Sequence, residues 1–195
     1  MRKSLAVALS AAVLPALLAA QPAAAGDETS GELVLHDGPG DVWTTPVGGD
    51  QYGPAPDRRA GDVLRVRLAH GEHAIRVRMK FVDLRRSGRQ RFDVGMRTDA
   101  GTWYAEVAAS KNRWAGRHFL WEQSGDTVSC PRMSHRIDYA DDVVILRVPR
   151  TCVGNPTWAR FVVNNFHETR TVLSEDNPHS RDPLPHRLTR RLHRG

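Results

Sequence analysis

Cysteine is scarce in this sequence. Its 195 residues hold two, Cys130 and Cys152, which excludes a disulfide-dense miniprotein and a four-cysteine zinc site. Long apolar runs are equally rare: past Ala25 none approaches the ~20 residues that a membrane-spanning helix requires. Catalytic signatures are missing too. There is no G-x-S-x-G elbow, no H-E-x-x-H pair, no phosphate-binding glycine loop and no dinucleotide fingerprint. Glycosidases escape that filter, because they need only two carboxylates placed in space. Acids are outnumbered: Lys+Arg 28 against Asp+Glu 22 gives a net charge of +6. With 40% hydrophobic and 26% charged residues, the chain is neither a polytopic membrane protein nor wholly disordered. Its length fits one domain.

The first residues read as an address. Arg2 and Lys3 precede an uncharged stretch from Ser4 to Gly26, whose apolar heart runs from Leu5 to Ala20. Ala23-Ala24-Ala25 then supplies the small residues that a signal peptidase accepts, completing the charged, apolar, small order of a secretory signal. An uncleaved anchor is the alternative, and Pro15 within the apolar run argues against it. The expected organisation is a signal peptide over 1–25, one domain over 26–173, and an extended basic tail over 174–195 with Pro178, Pro183 and Pro185. The expected product is a secreted, extracellular monomer. In an oxidising compartment Cys130 and Cys152 are expected to pair; the alternative is a thiol nucleophile partnered by His135.

Period-2 alternation dominates residues 62 to 166, and 3.6-period stripes are lacking. Leu64, Val66 and Leu68 alternate with Arg65 and Arg67. After the turn His70-Gly71-Glu72, Ile75, Val77, Met79 and Phe81 alternate with Arg76, Arg78 and Lys80. A second hairpin carries Phe92, Val94 and Met96, turns at Asp99-Ala100-Gly101, and returns through Trp103, Ala105 and Val107. Further strands are expected at Glu32 to His36, Arg117 to Glu122, Asp142 to Val148 and Trp158 to Phe166. About eight strands predict an all-β antiparallel sandwich, jelly-roll or immunoglobulin-like, with one disulfide. Residues 37–61, with Pro39, Pro46, Pro54, Pro56 and six glycines, are expected to form a long strap over the sandwich mouth.

The first hairpin presents Arg65, Arg67, Arg76, Arg78 and Lys80 on one face. Like charges opposite one another across a strand pair repel, so acids on a neighbouring strand (Asp93, Glu106), solvent or an anionic ligand must offset them. A basic secreted surface suits wall teichoic or uronic acid polymers. Nucleic acid fits poorly, because Tyr104 is the one aromatic interleaved with the cations. Trp43, Tyr52 and Trp114, placed in loops, are expected to be exposed and able to stack on sugar rings. Two weaker constellations are His70 with His73 for zinc or copper, and Asp138, Asp141 and Asp142 for calcium. Asp93 and Glu106 can meet across the second hairpin as a carboxylate pair, or can simply balance neighbouring arginines.

Gly61-Asp62-Val63, His70, Val82-Asp83-Leu84 and the run Val148 to Trp158 (VPRTCVGNPTW) resemble small secreted β-rich proteins of unknown function from high-GC Gram-positive bacteria. The resemblance implies secretion, a β fold and a bridge to Cys152. It transfers no catalytic residue and no cofactor. The expected function is a non-catalytic module that binds an extracellular or cell-wall polymer, an anionic polysaccharide first. Alternatives are a carbohydrate-active enzyme with dispersed carboxylates and a protein-binding inhibitor module.

Overall fold

A computed structural model describes residues 31–181 and 187–195. The signal segment 1–25 lies outside the described residues, as do Pro183 and Pro185 of the tail. Thirteen strands run in the order β1 (Glu32–His36), β2 (Trp43–Pro46), β3 (Gly53–Pro54), β4 (Val63–His70), β5 (Ala74–Phe81), β6 (Arg89–Thr98), β7 (Thr102–Ser110), β8 (Arg113–Glu122), β9 (Ser134–Asp138), β10 (Val143–Pro149), β11 (Trp158–Glu168), β12 (Val172–Asp176) and β13 (Leu192–His193). They form two antiparallel sheets packed face to face. The smaller has the order β1-β4-β5-β10-β9. The larger has the order β3-β2-β12-β11-β6-β7-β8, with β13 also paired to β11. Among the described residues there is no α-helix, and hence none long and apolar enough to cross a membrane.

Strand alternation builds the interior. Val66, Leu68, Ile75, Val77, Met79, Phe81, Val144, Leu146 and Val148 face inward from the smaller sheet. Phe92, Val94, Met96, Ala105, Val107, Phe161 and Val163 meet them from the larger. Phe81 and Phe92 touch edge to face, centroids 5.5 Å apart, across the layer. Each such side chain contributes roughly 1.5–3 kcal/mol by leaving water, so period 2 fixes which residues are left on the two outer faces. The hairpin at Asp99-Ala100-Gly101 closes with Gly101 at φ 144° and with the Thr98 N–H donating to its carbonyl.

All eight expected strands are present, and five more join them. Residues 37–61 contain β2 and β3, so this segment extends an edge of the larger sheet in place of strapping the mouth. Glycine and proline hide those strands from a periodicity reading because β3 is only two residues long. Trp114 lies inside β8, which begins four residues earlier than its apolar pattern suggests. The boundary expected at 173 falls inside β12. Residues 192–193 pair with Trp158 and Ala159 of β11, and Leu192 is fully buried.

Cys130 and Cys152 form a disulfide, closing the loop that joins β8 to β9 onto the 3₁₀ turn Arg150–Val153. Beside it the buried Arg150 donates to the carbonyls of Glu72, Asn155 and Pro156 at 2.7, 3.1 and 2.6 Å, knitting two loops at one end of the sandwich. With a sequence separation of 22 between the cysteines, reduction is expected to lower unfolding stability by about 3 kcal/mol. Urea titrations with and without reductant measure this; coincident curves would show that the bridge contributes nothing.

Candidate functional site

The outer face of the larger sheet carries the site. Register places its side chains in rows across the strands: Trp43, Glu175, Phe166 and Arg91 in one, Asn164, Asp93, Glu106 and Phe119 in the next, then Val162, Gly95, Tyr104 and Trp121. Between them lies a trough of about 720 Å³, lined by Asp93, Gly95, Tyr104, Asn164, Phe166 and Leu188 among others. Gly95 keeps the floor low. A Cβ there would sit 3.6 Å from the Tyr104 ring and 3.7 Å from Val162, in ordinary contact, so glycine leaves open a space that a side chain would fill.

Tyr104 and Phe166 line the trough, and Phe119 and Trp121 continue the same face on β8. Phe119 and Trp121, two apart on β8 and therefore on one face, stack with centroids 5.7 Å apart and planes 14° from parallel. The neighbouring Tyr104 is 46% exposed. Trp121 falls in the strand expected over Arg117 to Glu122, and that placement left it out of the expected stacking residues, which were those in loops. A strand position excludes burial in only half the cases, and the register with Tyr104 decides that Trp121 faces outward.

The polar groups converge on Arg91. Its Nε lies 3.0 Å from Asp93 Oδ2 and 3.8 Å from Glu106 Oε2, and its guanidinium covers the Phe166 ring at 4.2 Å. Burial pushes the Asp93 carboxyl up from 3.8 to about 7, against the pull of Arg91. Burial raises Glu106 as well. Asp93 Oδ1 is buried with no hydrogen-bond partner, so it is poised to take one from a ligand. Asp93 and Glu106 thus stand side by side with raised pKa values next to ring faces, a set able to exchange hydrogen bonds with sugar hydroxyls.

Of the expected aromatics, Trp43 and Tyr52 lie at the β2–β3 edge of this same face. Trp43 sits opposite Glu175 and donates from Nε1 to the Arg181 carbonyl at 2.8 Å. Tyr52 hydrogen-bonds Glu175, and burial raises its pKa. Trp114 is elsewhere: it meets Tyr139 edge-on at 6.2 Å, and the Tyr139 hydroxyl donates to its carbonyl.

The five cations occupy the other outer face. Arg65 pairs in register with Lys80, Arg67 with Arg78, and Arg76 with Arg147, so the smaller sheet is basic across three strands. Arg67 holds Glu32 at 2.6 Å and Lys80 holds Asp142 at 3.4 Å, whereas Arg65, Arg76 and Arg78 make no ion pair among the described residues. Asp93 and Glu106 belong to the opposite sheet and bind Arg91, so they do not neutralise this face. A groove of about 290 Å³ runs between Val34, Arg65, Arg67, Arg78 and Lys80.

The weaker constellations are taken up by the fold. His70 is fully buried and bonds the Leu192 carbonyl at 3.0 Å, while His73 is exposed. Asp138 accepts from the Ala140 and Asp141 N–H groups and from Arg136. Asp142 accepts from the Leu84 N–H, so Asp138 and Asp142 are spent on their own turn and its neighbour, while Asp141 joins through its backbone N–H and carbonyl. His135 lies against His118, Nδ1 to Nδ1 at 2.8 Å, and its sulfur partner of the thiol reading, Cys130 or Cys152, is bridged.

Comparison of the chain with protein-family models, with curated proteins and with solved structures finds no match.

Asp93 yields a pH prediction. Its folded pKa is raised, so its protonated form stabilises the fold below about pH 4, and that contribution is lost as pH rises through about 7. Asp93→Asn does not titrate. Relative to wild type it should gain on the order of 1.4 kcal/mol per pH unit across that window. Urea midpoints of both proteins across the window check this; parallel pH profiles would show that Asp93 is not perturbed.

Proposed function

We propose that this chain is a secreted, monomeric glycan-binding module, with the trough on the larger sheet as its sugar site. The observation that carries the reading is the conjunction, on one sheet face, of a 720 Å³ trough lined by Tyr104 and Phe166, the stacked Phe119 and Trp121 on the neighbouring strand, and an unpartnered buried carboxyl oxygen. Trp121, Phe119 and Tyr104 supply flat apolar surface against pyranose faces. Asp93, Glu106 and Asn164 supply hydrogen-bonding groups that orient the hydroxyls. Trp43 and Tyr52 extend the same face for a longer chain. The charged, apolar, small order of residues 1–25 and the Cys130–Cys152 bridge support an extracellular location.

The basic face acts as a second, electrostatic contact. Arg65, Arg76 and Arg78 without partner acids attract an anionic wall polymer such as a teichoic or uronic acid chain. Such attraction weakens with salt, because the screening length is about 8 Å at physiological ionic strength. The sugar trough, dominated by stacking and hydrogen bonds, is much less salt-sensitive. A catalytic reading is favoured by one specific observation, the pairing of Asp93, at about 7, with Glu106 directly opposite in register. Such a pair can act as proton donor and carboxylate partner in glycoside hydrolysis.

Calorimetric titration with chito-, cello- and galacturonate oligosaccharides tests the binding. Trp121→Ala is expected to weaken the best of these about tenfold, the scale of a lost stacking contact. The triple change Arg65→Glu, Arg76→Glu, Arg78→Glu should leave that affinity unchanged while abolishing salt-dependent retention on polygalacturonate. If Trp121→Ala binds as wild type does, the trough is not the site. Release of reducing ends, lost in Asp93→Asn, would establish the enzyme in place of the module.

A further inference from the structure

Four aspartates from distant parts of the chain converge where the two sheets meet. Asp37 follows β1, Asp41 precedes β2, Asp62 precedes β4 and Asp176 ends β12. One carboxylate oxygen each of Asp37, Asp41 and Asp176 lie within 4.8 Å of one another. That is the separation of two oxygens on opposite sides of a single calcium ion, at about 2.4 Å each.

Asp62 provides an independent sign. It is 2% exposed, and its Oδ2 accepts from the Gly40 N–H at 2.8 Å, which draws the carboxylate over the loop that bears Asp37 and Asp41. The other oxygen, Oδ1, is buried and meets no donor, and the Asp62 charge acts on both Asp41 and Asp176, so it lies beside the cluster. Asp37 Oδ2 and Asp41 Oδ1 are buried without partners as well. Burial and mutual repulsion hold Asp37 and Asp176 far above the ordinary carboxylate range. Among the described residues none of the four aspartates makes an ion pair, and Arg59 pulls the Asp62 carboxyl down without touching it. Structural ion clusters normally carry their own arginine or lysine. This one has oxygen ligands in excess and almost no positive charge.

We propose that Asp37, Asp41 and Asp176, with the charge of Asp62 beside them, bind one calcium ion that clamps the smaller sheet to the larger. β1 and β4 belong to the first, β2 and β12 to the second. The ion therefore ties both layers at one edge, and it secures the strand that carries Glu175 next to Asp176. Calcium suits the site better than magnesium because it accepts irregular, carboxylate-rich shells without keeping most of its waters. The inference does not depend on the glycan reading.

The test uses the full secreted chain, stripped of metal, titrated calorimetrically with calcium chloride and melted with and without it. One ion per chain is expected, with a dissociation constant in the range of extracellular modules, about 10⁻⁴ to 10⁻³ M, and a higher melting temperature with calcium. Asp41→Asn and Asp62→Asn should each weaken binding at least tenfold and remove most of the calcium-dependent shift. Both should melt no lower than wild type in the absence of calcium, because each removes a repelling charge. Absence of heat and of a melting shift in the wild-type protein overturns the proposal, and so does a shift that both variants retain. Tighter binding of magnesium overturns the assignment to calcium. Wild-type titration decides the matter even if a variant fails to fold.

Discussion

Everything in this molecule follows from the burial of one apolar face on each of two sheets. A strand points successive side chains to opposite sides, so packing Val66, Leu68, Val77 and Met79 against Phe92, Val94, Met96 and Phe161 leaves no freedom in what the outer faces display. The smaller sheet is obliged to show Arg65, Arg67, Arg76 and Arg78. The larger is obliged to show Arg91, Asp93, Gly95, Tyr104, Glu106 and Trp121. A one-residue slip of any of these strands would bury charge and expose the core, a loss far larger than any contact on the outside.

The two outer faces solve their polarity differently. On the smaller sheet the arginines point into water, where like charges are screened and tolerated without acids between them. On the larger sheet the acids are partly buried, so they draw on the one nearby guanidinium. Arg91 serves Asp93 and Glu106 together and lies over Phe166, and the carboxyl that remains short of a donor is driven toward protonation. That contrast is why one face reads as a diffuse electrostatic surface and the other as a built site. The acid cluster at the sheet edge is a third case: buried carboxylates with so little cationic compensation demand a cation from outside.

Much of the fold was legible because it rests on alternation. The strand at Glu32–His36, the hairpin pairs and the central β10 with its run Val143–Leu146 were all readable from period 2 alone. What escaped was short or irregular. β3 spans two residues, and β13 gains its place from pairing with Trp158 and Ala159 rather than from any pattern of its own. The site was half legible. Asp93 and Glu106 were visible as a cross-hairpin pair, and Trp43 and Tyr52 as candidate aromatics. Trp121 was discounted because membership of a strand does not reveal which face a residue takes. The metal-ligating acids were sought in the dense run Asp138–Asp142, where adjacent backbone N–H groups satisfy them. The cluster of Asp37, Asp41 and Asp176, with Asp62 beside it, draws on positions from 37 to 176 and exists only once the sheets close.

The most direct test of the glycan site is tryptophan indole NMR during a titration with chito-, cello- or galacturonate oligosaccharides. The account predicts that the Trp121 indole N–H moves in a saturable way while that of the core residue Trp103 stays fixed. A saturable response confined to amides of Arg65, Arg76 and Arg78, with Trp121 unmoved, would contradict it.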